Sequence, residues 1–94
     1  MSKQIGLTGV LILLFLVVTA QQNWNYPEVD KRSYALFQQQ KWDDLLNYAD
    51  ESRKHGIDFF YLQVRTGIAY YRLSKYRKAS QWFLSARENG QNFA

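Results

Sequence analysis

The sequence predicts an all-α fold built from two tandem antiparallel helix–turn–helix repeats. Three observations support this. Apolar residues recur at helical spacing, and no segment alternates with the two-residue period of a strand. The turn signals fall two or three residues apart from helix to helix, which makes each pair of helices an antiparallel hairpin. A shift of the chain by 34 positions brings Ala35 onto Ala69, Lys41 onto Lys75, Arg53 onto Arg87, Gly56 onto Gly90 and Phe59 onto Phe93.

The elements follow in order. Residues 1–20 read as a secretory signal peptide: Lys3 gives a positive start, Leu7 to Val18 is apolar apart from Thr8 and Gly9, and Val18-Thr19-Ala20 supplies the small residues of a cleavage site. That run is short for a membrane span, which needs about 20 apolar residues, so membrane anchoring is expected only if the segment stays uncleaved. Residues 21–26 form a polar, aromatic leader. Pro27 opens the first helix, where its missing N–H is tolerated, and that helix extends to about Gln39. The second spans Trp42 to Lys54 and stops at Gly56, a residue suited to the left-handed terminal position. Asp58 is the expected N-cap of the third helix, with Ile57 and Leu62 spaced as a hydrophobic staple; that helix reaches about Leu73. The fourth runs from Tyr76 to about Glu88 and is expected to end at Gly90.

The segment Gly67-Ile68-Ala69-Tyr70-Tyr71-Arg72-Leu73-Ser74-Lys75-Tyr76-Arg77-Lys78-Ala79, followed by Phe83 and Ala86, resembles the tetratricopeptide repeat signature. The resemblance implies an α-solenoid of about two repeats, with residues 57–90 a repeat and residues 27–56 a degenerate one. In it Gly67 and Ala79 are small where two helices cross, Tyr70 and Phe83 fill the crossing, Tyr76 packs at the turn, Ala86 leaves room for the first helix of the next repeat, and Ala69 is a further repeat-defining packing position. Gln63 and Thr66 depart from the pattern, standing where the family prefers a large aromatic and a Leu. Residues 91–94 copy the register of the residues after Gly56, as the start of a truncated third repeat.

The 94 residues carry a formal charge of +4, which is too mild to argue for nucleic acid. The basic stretch Arg65, Arg72, Lys75, Arg77 and Lys78 reads as a solvated face. There is no cysteine, so no disulfide supports the fold. His55 is the only histidine, and it reads as a helix-end residue complementing the dipole. Asp43 with Asp44 and Asp50 with Glu51 are sequence neighbours about 100° apart on a helix, so they do not form facing acid/base pairs. No catalytic constellation, metal set or phosphate loop is present, and no enzyme activity and no cofactor are expected.

A solenoid binds on the face lined by the first helix of each repeat. Tyr61, Arg65, Ile68 and Arg72 form one stripe on the third helix, and Lys31, Tyr34 and Gln38 take the same register on the first. A basic, aromatic groove of this kind suits a protein or an extended or acidic peptide. The expected function is therefore that of a non-catalytic, exported protein-interaction scaffold in the periplasm or cell envelope of a bacterium. The alternative is an N-terminal stalk of a larger envelope protein, ahead of an outer-membrane barrel.

Overall fold

A computed structural model describes residues 23–91, and these form four helices. They are α1 (Tyr26–Gln38), α2 (Trp42–Lys54), α3 (Phe60–Arg72) and α4 (Tyr76–Gln91). The expected signal segment and most of the expected third repeat lie outside the described residues. No helix among the described residues is long and apolar enough to cross a membrane.

Helix α1 begins at an Asn25 cap. Its backbone is extended, and its side-chain oxygen accepts the Glu28 N–H at 3.0 Å, satisfying one of the first-turn donors. Helix α2 has Asp43 and Asp44 in its first turn and Arg53 and Lys54 in its last, both favourable to the helix dipole. Three helices end in the same way. At the end of α2, Gly56 holds φ of +80°, its N–H bonds Arg53 O, and the Ile57 N–H bonds back to Ser52 O. This pairing of bonds is the Schellman motif. Gln40 after α1 and Ser74 after α3 repeat it with φ of 58° and 62°.

Two helix ends differ from expectation. Asp58 does not cap α3; the extended residue before that helix is Phe59. The Asp58 carboxylate instead accepts the Phe59 N–H, Arg53 Nε at 3.2 Å and Gln63 Nε2 at 2.9 Å, tying the end of α2 to the start of α3. With the cap at Phe59, Ile57 and Leu62 no longer hold the staple register, although Ile57 still packs on the core cluster that contains Leu62. Gly90 does not end α4, which continues to Gln91. A Cβ at Gly90 would stand 3.1 Å from Phe60 Cε2, so the glycine lets this last turn lie against the ring.

The core joins three helices. Val29 of α1, Ala49 of α2 and Leu62 of α3 are fully buried together, with Trp24, Tyr48, Ile57 and Phe59 packed around them. Each helix packs on the next, and α1 also packs across α3. Between α3 and α4 the contact is built on small residues. Ala79 and Ala86 are buried, and a Cβ on Gly67 would be only 2.5 Å from Phe83 Cε1. Burial extends to polar groups: Gln63 Oε1 accepts Asn89 Nδ2 at 2.7 Å, and the Thr66 hydroxyl accepts Arg53 Nη2 and donates to Leu62 O, both at 2.7 Å. No buried side-chain N or O among the described residues lacks a partner.

The described residues are thus a packed four-helix bundle, and the expected elongated α-solenoid is corrected. Two helical hairpins of similar length, stacked side by side, produce a fixed sequence period whether or not the array extends. Small residues mark close helix crossings in any bundle. Ala86, read from sequence as room for a further repeat, is already buried within these four helices.

Candidate functional site

The candidate site is built where α1 packs across α3. Arg65 of α3 reaches α1 with one nitrogen, donating to Asp30 Oδ1 at 2.7 Å, Ser33 Oγ at 3.0 Å and Asp30 O at 3.4 Å. Its guanidinium also lies 5.2 Å from the Tyr34 ring centre and 5.9 Å from that of Tyr61. Tyr34, Tyr61 and Arg65, singled out in sequence for one groove, are therefore brought together. The rings remain largely exposed, whereas the Arg65 charge is neutralised by Asp30. The stripe is accordingly less basic than its sequence implies.

The other groove candidates are dispersed. Arg72 turns to α2, 5.8 Å from the Trp42 ring. Ile68 is half-buried, and Lys31 and Gln38 are exposed. Of the packing candidates, Ala69, Ala79 and Ala86 are buried, and Gly67 lies beneath Phe83. Tyr70 is half-buried with Lys78 Nζ 5.5 Å from its ring, and Tyr76 stands edge-on to Tyr71 at 5.2 Å while staying exposed.

Beside the Tyr34–Arg65–Tyr61 strip lies a cavity of about 570 Å³, lined by Tyr26, Phe59, Phe60, Tyr61 and Gly90. Its wall carries no charged side chain. Tyr26 meets Phe59 at 4.5 Å between ring centres, and Phe60 meets Tyr61 edge-on at 5.2 Å. The volume is in the range of about 300–1,000 Å³ common for ligand pockets. The repeat register relates Phe59 to Phe93 and does not reveal this cavity. A signal was nevertheless present: three successive aromatics at a helix start project about 100° apart, so one core face cannot take them all.

Two further clusters escaped the sequence. Trp24 stacks on His55 at 4.5 Å and on Tyr48 at 5.3 Å, while Arg32 covers Tyr48 at 5.3 Å. Burial is the main reason that the Tyr48 phenol titrates above its ordinary range; Arg32 opposes the shift and Glu28 adds to it. His55 Nδ1 lies 2.9 Å from Glu51 O, at the end of α2. The second cluster centres on Arg53, whose guanidinium carbon stands 3.9 Å from the Trp82 ring centre while its nitrogens reach Asp58 and Thr66. Among the described residues no group of three or more His, Asp or Glu side chains is placed to hold a metal.

Comparison with family models, with curated proteins and with solved structures found no match. The resemblance to tetratricopeptide repeats is corrected on this ground together with the packed bundle. The motif that carried it consists largely of small and aromatic residues at helix crossings, which antiparallel hairpins of many origins share. The exported repeat scaffold and the envelope stalk fall with it, because both require an extended array. No match supports a signal-peptide identity either.

Proposed function

We propose that this four-helix bundle is a non-catalytic binding domain whose ligand is an extended peptide. The peptide seats one large apolar side chain in the cavity formed by Tyr26, Phe59, Phe60 and Tyr61. One observation carries the proposal: Tyr61 belongs both to the cavity wall and to the exposed strip with Tyr34 and Arg65. A pocket that continues into a strip fits an anchor residue with chain on one side of it. Exposed tyrosines suit such a surface, since the ring offers apolar area and the hydroxyl a hydrogen bond. With Arg65 neutralised by Asp30 and no charge in the cavity wall, the anchor rather than acidic character supplies the affinity.

Selection of displayed peptides on the full chain tests this. The peptides recovered should share an aromatic or large aliphatic anchor, and changing that anchor to alanine should weaken binding at least about tenfold, or about 1.4 kcal/mol. Tyr61→Ala, at an exposed position, should cause a similar loss without changing the helical circular dichroism. Peptides that bind Tyr61→Ala as tightly as the parent would overturn the proposal.

A further inference from the structure

A second cavity, of about 350 Å³, opens between α2 and α4 and shares no lining residue with the aromatic one. Its walls carry opposite charge. Asp43 and Asp50 on α2 are seven residues apart, about two helical turns, and so stand on one face. Lys75 and Lys78 stand on the α4 side, with Tyr70 and Trp82 also in the lining. Arg53, also part of the lining, is held by Asp58, Thr66 and the Trp82 ring, so its charge is already engaged.

Within the described residues Asp43, Lys75 and Lys78 form no ion pair, and Asp50 pairs only with exposed Lys54 at 3.5 Å. The carboxylates and ammonium groups thus border the same cleft without closing on one another. A ligand that satisfies both walls must carry both charges, held apart by a spacer. Trp82 and Tyr70 line the cleft between the two walls, one face of each ring already meeting a cation, Arg53 at 3.9 Å and Lys78 at 5.5 Å. The free termini of a short peptide supply one ammonium and one carboxylate held apart by its backbone.

We propose that the cleft between α2 and α4 binds a short zwitterionic peptide. Its amino terminus lies toward Asp43 and Asp50, and its carboxylate toward Lys75 and Lys78. The site is independent of the peptide-binding face between α1 and α3.

NMR titration of the full chain with glycyl-leucine, N-acetyl-glycyl-leucine and glycyl-leucinamide tests it. Glycyl-leucine should give saturable shifts at Lys75, Lys78 and the Trp82 indole, and each capped form should bind at least about tenfold more weakly. The double variants Asp43→Asn with Asp50→Asn, and Lys75→Gln with Lys78→Gln, change exposed side chains and should each cause a comparable loss while the melting temperature stays within a few degrees of the parent's, the first pair giving up a helix-dipole contact and the Lys54 pair. Tyr61→Ala should leave glycyl-leucine binding intact, which separates this site from the proposed peptide face. Three results would overturn the proposal: no saturable shift, equal binding of the capped forms, or inorganic phosphate occupying the cleft with the same lysine dependence while N-acetylation costs nothing.

Discussion

Gln40 and Ser74 show how much a single backbone angle decides at a helix end. Both hold positive φ, 58° and 62°, in the terminal motif where Gly56 serves α2. For an L-residue the left-handed region costs roughly 1–2 kcal/mol. Glycine removes that cost but adds unfolded-state entropy of roughly 0.5–1 kcal/mol. Ser74→Gly and Gln40→Gly should therefore each stabilise the chain by about 0.5–1 kcal/mol, raising Tm by a few degrees. Thermal melts check this, and a fall in Tm for either variant would contradict it. The residue scale also explains uneven legibility. Gly56 announced its turn because only glycine is at ease there. Gln40 and Ser74 gave no sign, although the same 34-residue shift relates them, because neither residue type marks a left-handed position. Asn25 lies in the segment that reads as a leader, since its capping role depends on the helix starting one residue before Pro27.

At the scale of elements, α1 is fastened to α3 by apolar burial of Val29 and Leu62 and by the Arg65 bridge to Asp30. The Arg65 side chain is only 13% exposed, so losing its carboxylate partner leaves a largely buried cation with one hydroxyl and one carbonyl. Charge-assisted hydrogen bonds contribute about 1.5–3 kcal/mol when well buried. Solvent screening at Asp30, 40% exposed, reduces that, and Asp30→Ala should destabilise by about 1–2 kcal/mol. Urea unfolding checks it as a lower midpoint with an unchanged slope; a midpoint equal to the parent's would show that the bridge is dispensable. The bounds of α2 and the small crossing residues were legible because local propensity and spacing fix them. The Arg65–Asp30 bridge was not, because it joins positions 35 apart whose meeting depends on how the hairpins dock. The same docking decides which of Phe59, Phe60 and Tyr61 face the cavity.

For the whole molecule, the packed bundle gathers titrating groups whose displacement runs in one direction. Burial raises the Tyr48 phenol above its ordinary value, and the hydrogen bond and charge of Glu51, with Asp50, raise the Lys54 ammonium. A folded state that holds a proton more tightly than the unfolded chain keeps that advantage below the unfolded pKa and loses it as pH rises through the folded value. Both groups therefore place the loss on the alkaline side, above about pH 10. Lys54 is fully exposed and carries little of it, so Tyr48, packed against Trp24 beside the three-helix core, is the main source among the two. Tyr48→Phe retains the stacked ring and removes the phenol. Its stability near pH 8 should match the parent's closely, and its decline between about pH 9 and pH 11 should be shallower, as read from urea midpoints across that range. Parallel curves for parent and variant would mean that the half-buried phenol does not couple folding to pH. A variant already weakened near pH 8 would assign the hydroxyl a packing role instead.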